Sequence, residues 1–254
     1  MLGYGRSIRA HNVVLIQSPC RECFAPTPET ILPDMPNPYF PFHALGYQGN
    51  PFQAVTDDEW VALAILPDSI ETVVNHPHLQ ILGDKGHGKT TTLLALAARF
   101  QKQNQVVAYE HLEIDQDHFI TDLTGLDVFL LDEAQRLTKR ERERLLGTRL
   151  RLVIASHEDL TPLFTRFGQP LTTVRFDTAP FAHVVAVVER RLVFFALPNV
   201  TARVTVSPDA IRFLHTTFGA DVRQIEMALY EVFEMVKRWE VICEIGVEDV
   251  KSVL

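Results

Sequence analysis

Continuous apolar runs alternate with helical patterns through the middle of the chain, over residues 46–178. Runs of this kind are typical of strands that are buried on both faces of a parallel sheet. They occur at residues 79–82, 106–112, 127–131, 151–156 and 172–176. Repeated strand and helix units predict a parallel sheet with helices on both faces, so the predicted fold class is α/β.

A different pattern begins near residue 179 and continues to residue 254, which we call the helical lid. Helices are predicted at residues 180–197, 210–217, 221–237 and 248–254. Ser207 precedes Pro208 and Asp209, the sequence expected of a helix cap and first turn. The chain therefore continues from an α/β core into a small helical domain.

Residues 1–45 form a third part, which we interpret as a proline-rich arm. Its prolines are too frequent for a regular helix or a central strand. They are Pro19, Pro26, Pro28, Pro33, Pro36, Pro38 and Pro41. The arm either stays mobile or lies along its own core or a neighbouring subunit. The interleaved Phe24, Tyr39, Phe40 and Phe42 favour docking over free solvation.

Size and charge narrow the function classes. A chain of 254 residues is long enough for one α/β domain and a small second one. The net charge of −8 argues against coating nucleic acid by bulk electrostatics, so any DNA contact requires a local patch. The sequence has no apolar run of membrane-span length, and its first residues lack a signal peptide core. We expect a cytoplasmic protein without membrane contact.

The chain has three cysteines, too few for a disulfide framework. Cys20 and Cys23 are spaced as half of a zinc site, which a second chain could complete. The alternative is two ordinary thiols, and the sequence leaves both open.

A complete G-x-x-x-x-G-K-[ST] pattern follows the apolar run at 79–82, and we call it the phosphate loop. It consists of Gly83, Asp84, Lys85, Gly86, His87, Gly88, Lys89 and Thr90. Such a loop surrounds a triphosphate with backbone N–H groups, while its lysine reaches the β and γ phosphates and its hydroxyl binds Mg²⁺. Thr91 continues into the helix whose positive end adds to the attraction. A chance glycine-rich turn is the alternative.

The apolar run at 127–131 ends in Asp132 and Glu133. A buried parallel strand would deliver both carboxylates to its C-terminal edge. There Asp132 can hold hydrated Mg²⁺ and Glu133 can polarise the attacking water as a general base. The alternative is an ordinary helix start, where anions are also favoured.

These features, with a polar residue ending the next strand and an arginine in the helical lid, resemble the AAA+ ATPases. Residues 45–52, Leu-Gly-Tyr-Gln-Gly-Asn-Pro-Phe, followed by Asp-Asp-Glu-Trp at 57–60, resemble the segment that opens the ExeA, TniB and TnsC group. Residues 132–137, Asp-Glu-Ala-Gln-Arg-Leu, are similar to the group's second acidic motif. The similarity spans about residues 45–254. It implies that Asn50, Pro51 and Phe52 contribute to nucleotide binding.

The resemblance also implies roles for single residues. His157, or Ser156 beside it, would be the first sensor of the γ-phosphate, although a histidine here could simply cap a turn. Arg166 matches the arginine finger that reaches a neighbouring subunit, with Arg175 as competitor and a surface loop arginine as the alternative. Arg223 resembles the second sensor. Its alternative is an i,i+3 pair with Glu226.

We therefore expect an ATPase that binds ATP and Mg²⁺, forms an ATP-dependent homo-oligomer as a ring or filament, and loads or matches an unidentified protein partner, for example in transposition or DNA targeting. The runner-up is a nucleotide-gated interaction module with negligible turnover, and a P-loop kinase is a distant third.

One basic stretch could meet the phosphates of duplex DNA, or be a solvated face or an acidic-partner site. Its basic residues are Arg136, Lys139, Arg140, Arg142, Arg144, Arg149 and Arg151. The relatives carry longer inserts where this chain has only a short predicted helix at 116–123, which weakens the DNA interpretation.

Overall fold

The computed structural model describes residues 13–15, 41–148, 150–236 and 243–254, the first of these ranges by its backbone. Within these ranges, six strands form the main sheet in the order β1-β3-β4-β5-β2-β6. They are β1 (Val13–Leu15), β2 (His78–Leu82), β3 (Val107–His111), β4 (Val128–Asp132), β5 (Arg151–Ser156) and β6 (Thr172–Arg175). Strands β2 to β6 run parallel, which confirms the five predicted strands and the α/β class.

The first strand comes from the proline-rich arm and lies at the edge of the sheet. β1 pairs antiparallel with β3, so that Val14 is opposite Tyr109. At these three residues the arm lies along its own core, one of the expected arrangements. Cys20 and Cys23, the arm's prolines up to Pro38 and the proposed half zinc site lie outside the described residues.

Helices cover both faces of the sheet, as predicted. On one face, α1 (Asp57–Leu63), α2 (Asp68–Glu71) and α3 (Lys89–Lys102) lie in the first half of the chain. Leu93, Leu96 and Phe100 of α3 pack there against the strands. On the other face, α4 (Lys139–Leu146) and α5 (Thr161–Arg166) pack on a second apolar cluster. Short 3₁₀ turns occur at His43–Leu45 and Ala134–Arg136.

The helical lid contains four helices within its described residues. They are α6 (Phe181–Phe194), α7 (Pro208–Phe218), α8 (Val222–Val236) and α9 (Val247–Lys251). The Ser207 side chain accepts a hydrogen bond from the Ala210 N–H at 3.1 Å and so caps α7, as the sequence predicted. Two short parallel strands that the sequence analysis missed, β7 (Thr205–Val206) and β8 (Glu244–Ile245), join the lid's halves. Lys237, the expected end of the third helix, lies outside the described residues.

Residues 45–52 pack with the helical lid, although the sequence analysis grouped residues 46–52 with the core. Tyr47 and Phe52 are buried in the same apolar cluster as the lid helices. Their rings lie 5.7 and 5.6 Å from the ring of Phe233 in α8. The Tyr47 hydroxyl donates to the Val204 carbonyl oxygen at 2.6 Å. The segment therefore belongs physically to the lid.

The helix predicted at residues 116–123 is wrong, because this segment is a loop. The carboxylate of Glu110, 1% exposed, lies beneath it. It accepts hydrogen bonds from the backbone N–H groups of Ile120 at 2.9 Å and Thr121 at 3.0 Å. A buried charge requires several such partners. The loop supplies them with N–H groups that helix formation would have used.

Candidate active site

Most of the predicted site residues lie at the carboxyl edge of the parallel strands, the edge where sheets of this kind bind ligands. β2 leads into the phosphate loop, β4 ends at Asp132, and β5 is followed by His157. The helical lid covers this edge and leaves a cleft of about 1250 Å³. Its lining includes Lys85 to Thr92, Glu133, Arg175 and Arg223.

Two glycines give the phosphate loop its shape. Gly86 and Gly88 have φ angles of 81° and 79°, in the left-handed region that favours glycine. At Gly86 the lid also comes too close for any side chain. A Cβ atom added there would lie 2.0 Å from a carboxylate oxygen of Asp221. Both the turn and the contact with the lid therefore require glycine at this position.

Lys89, the first residue of α3, extends its side chain into the phosphate loop. Its Nζ donates to the carbonyl oxygens of Gly83 and Asp84, each at 2.8 Å, and lies 3.5 Å from His157 Nε2. The side chain is buried, and this burial lowers the pKa of Lys89 even though the nearby carboxylates of Asp132 and Glu133 oppose the shift. The ammonium lies where a phosphate group in the loop would meet it.

Thr90 and Asp132 bring two hard oxygen ligands together. The Thr90 Oγ1 donates to the Asp132 Oδ2 at 2.6 Å, and the carboxylate is completely buried. Burial favours the neutral acid, but hydrogen bonds from His111 and Thr90 outweigh it and lower the pKa of Asp132. A hydroxyl and an ionised carboxylate are ligands that Mg²⁺ uses together with water and phosphate oxygens. The pair fits the predicted metal site.

His111 is a site residue that the sequence analysis missed. Its Nδ1 lies 3.2 Å from the Asp132 Oδ2, and this hydrogen bond raises the pKa of His111. The two residues are direct partners in the register of β3 and β4. Aligning the ends of the two predicted strands would have revealed the pair.

Glu133 enters the cleft from a strained backbone position. Its φ angle is 60°, which is uncommon for a residue other than glycine. Three side chains hold the carboxylate: Gln135 Nε2 at 2.7 Å, Arg136 at 3.0 Å and His157 Nε2 at 3.4 Å. Gln135 also accepts the backbone N–H of His157 at 3.3 Å. The sequence analysis quoted Gln135 and Arg136 in the motif but assigned neither a role toward Glu133.

Of the two candidates for the first sensor, His157 is the one at the site. The Ser156 hydroxyl is buried and turned to the backbone of Glu158, with hydrogen bonds of 2.8 and 2.9 Å. His157 instead lies between Lys89 and Glu133. His87 of the phosphate loop bonds the Phe176 carbonyl oxygen at 2.5 Å and so joins the loop to the chain that follows β6.

The three candidate arginines have different surroundings. Arg166 is exposed at the end of α5 and does not line the cleft. Arg175 lines the cleft and pairs with Asp159 at 3.3 Å. Arg223 lines the cleft, and its backbone N–H donates to the Gly86 carbonyl oxygen at 3.4 Å. Glu226, its alternative partner, pairs with Arg191 at 2.6 Å.

The remaining predicted nucleotide-binding residues are divided between the cleft and the lid. Lys85, Thr91 and Phe52 line the cleft, and the Asp84 side chain is 91% exposed beside it. Asn50 is buried and does not line the cleft, and its amide donates to the Tyr230 carbonyl oxygen at 3.0 Å. The Pro51 carbonyl oxygen accepts from Arg191 at 3.2 Å.

Most of the basic stretch after the acidic motif serves the fold. Four arginines donate to backbone carbonyl oxygens of nearby loops: Arg136 to Leu112, Arg142 to Leu137 and Gln135, Arg144 to Phe119, and Arg151 to Val74. Lys139 and Arg140 are exposed at the start of α4. Arg149 lies outside the described residues. The surface charge that could meet DNA is therefore smaller than the sequence suggests.

Neither a protein-family model nor a curated protein matches this sequence. Its fold is similar to that of the Thermotoga maritima RuvB Holliday junction branch migration motor, with a TM-score of 0.53, 18% identity, and coverage of 78% of this chain and 67% of RuvB. Domain III of the Thermotoga maritima replication initiation protein DnaA has a TM-score of 0.52 and 14% identity, with coverage of 80% of this chain and 98% of the domain. The ADP form of Aeropyrum pernix ORC2 has a TM-score of 0.52 and 11% identity, with coverage of 82% of this chain and 72% of ORC2. The chain thus shares the α/β fold of these three proteins.

Proposed function

We propose that this chain is a Mg²⁺-dependent ATPase of the AAA+ type that works as an ATP-driven oligomeric switch. One observation carries the proposal. Lys89, the Thr90 and Asp132 pair, and Glu133 all lie around a single cleft at the carboxyl edge of the sheet. These are the groups that phosphoryl transfer needs, because its catalysis rests on positioning and on stabilising charge.

The chain's own groups divide the work of binding. The phosphate loop supplies backbone N–H groups and the Lys89 ammonium, which would leave the Gly83 and Asp84 carbonyl oxygens for phosphate oxygens. Thr90 and Asp132 would hold Mg²⁺, and the ion would neutralise part of the phosphate charge. Phe52 and Trp60 line the cleft and would contact the adenine base.

Glu133 is the proposed general base. Its carboxylate follows the metal-binding Asp132 directly and would accept a proton from the water that attacks the terminal phosphate. Gln135, Arg136 and His157 set its position. His157 lies within 3.5 Å of both Lys89 and Glu133, so it would respond to the phosphate between them.

Assembly would complete the site. Arg166 does not line its own cleft and is exposed, as a finger that serves a neighbouring subunit must be. Arg175 lines its own cleft and is the weaker candidate. Arg223 would report the nucleotide state to the helical lid. A finger contributes about 10³ to 10⁵ in rate, so turnover would depend on a ring or filament of subunits.

We further propose that the switch acts as a matchmaker or loader for a partner protein in the cytoplasm. Membership of the ExeA, TniB and TnsC group rests on residues 45–52 and 132–137, and with it a role in transposition or DNA targeting. RuvB is named for work on Holliday junctions. Lys139 and Arg140 are exposed basic residues at the start of α4 that duplex DNA would meet. No helix in the described ranges has the length and apolar character to cross a bilayer.

A second candidate function is a nucleotide-gated interaction module with negligible turnover. The three side chains that hold Glu133 favour this function, because a carboxylate that already contacts Gln135, Arg136 and His157 has fewer lone pairs free to position a water molecule. Calorimetry with ATP, with and without Mg²⁺, tests binding for both functions, and the absence of heat would overturn both. Steady-state phosphate release then separates them, since only the ATPase releases phosphate continuously.

A further inference from the structure

Arg191 of α6 is a charged side chain that the proposed chemistry does not use. It is 4% exposed, and a buried charge is costly unless it is paired. Its Nε donates to Glu226 Oε1 of α8 at 2.6 Å. Its Nη1 donates to the carbonyl oxygens of Pro51 at 3.2 Å and Gln53 at 3.1 Å. One guanidinium thus joins two lid helices to the segment at residues 50–53.

A second contact fixes the same segment to α8. The Asn50 amide donates to the Tyr230 carbonyl oxygen at 3.0 Å and to the Glu234 carboxylate at 3.1 Å. Phe52 packs against Phe233 of the same helix, with ring centroids 5.6 Å apart. These contacts hold residues 50–53 and α8 together as one unit.

This unit contributes side chains to the cleft at two places. The Arg191 guanidinium lies 5.6 Å from the ring of Trp60 and 6.0 Å from that of Phe52, both of which line the cleft. At the second place, Arg223 lies in the first turn of α8, one turn before Glu226, and its backbone N–H donates to the Gly86 carbonyl oxygen. Arg191 and Glu226 join these two places directly, beside the contacts that Asn50 and Phe52 make with α8.

A buried ion pair of this kind need not add to the stability of a protein. Replacing a buried pair by apolar side chains is often neutral or stabilising, whereas the pair imposes one geometry. Burial also raises the pKa of Glu226, even though Arg191 opposes the shift, so the pair is retained against a desolvation cost.

We propose that Arg191 is a positioning residue. It couples the part of the cleft proposed to bind the adenine base, at residues 50–53 and Trp60, to the placement of Arg223 over the phosphate loop. The inference rests on the proposed ATPase function. Arg191 would act through Glu226 and through the backbone of residues 51–53. It would thereby set how a bound adenine base changes the position of Arg223.

The test compares Arg191→Gln with Arg190→Gln, a matched control because Arg190 is the exposed neighbour on the same helix. In steady-state hydrolysis, Arg191→Gln raises KM for ATP about tenfold and lowers kcat about tenfold, while the control matches the wild type. Circular dichroism confirms that each protein is folded at the assay temperature. A merely structural loss would lower kcat with the folded fraction and leave KM unchanged.

Trp60 supplies a spectroscopic readout. The chain has two tryptophans, so a Trp239→Phe background leaves Trp60 as the only one. We expect a non-hydrolysable ATP analogue to change the Trp60 fluorescence in this background and in Arg190→Gln, and to lose most of this effect in Arg191→Gln. An equal change in all three proteins overturns the coupling.

A double-mutant cycle with Arg223→Ala identifies the route. If Arg191 acts through Arg223, Arg191→Gln lowers kcat little further in a protein that already carries Arg223→Ala. Additive losses of kcat in the double variant overturn the inference. A kcat that Arg223→Ala leaves unchanged overturns it as well. If Arg191→Gln does not fold, Arg191→Lys and Glu226→Gln carry the same cycle, with smaller expected shifts. A wild-type protein that neither binds nor hydrolyses ATP overturns the proposed function. An active wild type with Arg191→Gln equal to Arg190→Gln overturns this inference alone.

Discussion

The hydroxyl of Thr90 donates a 2.6 Å hydrogen bond to the buried carboxylate of Asp132 and so joins the start of α3 to the end of β4. The two residues are 42 positions apart in the chain. Their contact places the phosphate loop and the acidic motif at one point.

Lys89→Ala is expected to abolish nucleotide binding with little change in fold. The ammonium supplies charge-assisted hydrogen bonds that a phosphate would take. We expect ATP affinity to fall at least about 100-fold, which corresponds to about 2.7 kcal/mol. Isothermal calorimetry measures it, with Lys102→Ala as control because Lys102 is an exposed lysine at the other end of α3. Equal affinities for the two variants would remove Lys89 from the site.

Glu133→Gln is expected to separate binding from turnover. The amide keeps the size of the side chain but cannot accept a proton, so phosphate release should fall about 10² to 10⁴-fold while ATP still binds. Glu244→Gln, an exposed carboxylate of the lid, serves as control. Should Glu133→Gln release phosphate at the wild-type rate, Glu133 is not the base.

The oligomeric state is expected to follow the nucleotide. Arg166 and Arg223 would both address the γ-phosphate, so its loss on hydrolysis releases the subunit contact. We expect large species with ATP, largest for Glu133→Gln, and small species with ADP. Size-exclusion chromatography with light scattering measures the mass. The same small mass in all three samples contradicts the switch.

Mixing two inactive variants tests whether Arg166 acts on a neighbouring subunit. Arg166→Ala is expected to bind ATP normally and to lose about 10³-fold in turnover. Lys89→Ala cannot bind ATP but retains Arg166. A mixture of the two should recover part of the activity, because one supplies the site and the other supplies the finger. Arg175→Ala should recover no activity by mixing with Lys89→Ala, because Arg175 lies in its own cleft. Recovery in the mixture that contains Arg175→Ala, without recovery in the mixture that contains Arg166→Ala, would reverse the assignment.

Stability is expected to depend on pH through His78. Its Nδ1 accepts the Leu152 N–H at 3.2 Å, which requires the neutral ring, and burial with the nearby charge of Arg151 lowers its pKa. Because the folded pKa lies below the unfolded value of 6.5, the unfolded chain binds more protons as pH falls through this window, and stability decreases. Urea unfolding at about pH 7.5 and about pH 5.5 should show a smaller loss for His78→Asn than for the wild type. Parallel losses would assign the pH dependence elsewhere.

Much of the site could be predicted because its signals are local. The phosphate loop and the pair of Asp132 and Glu133 each lie in a few consecutive residues. The fold class followed from apolar runs, whose period depends only on neighbouring positions. The helix predicted at 116–123 failed for a reason that no local pattern contains. Its N–H groups are taken by Glu110, a buried carboxylate on the preceding strand.

The sequence by itself determined that the chain carries a phosphate loop and an acidic motif on an α/β sheet, since these depend on residues adjacent in the chain. Only the tertiary structure decided which side chains surround them. His111 meets Asp132 through strand register, and Arg191 meets Pro51 across 140 residues. Asn50 meets Tyr230 across 180 residues. Such partners are chosen by packing and by the need to pair every buried charge, so they exist only once the chain has folded.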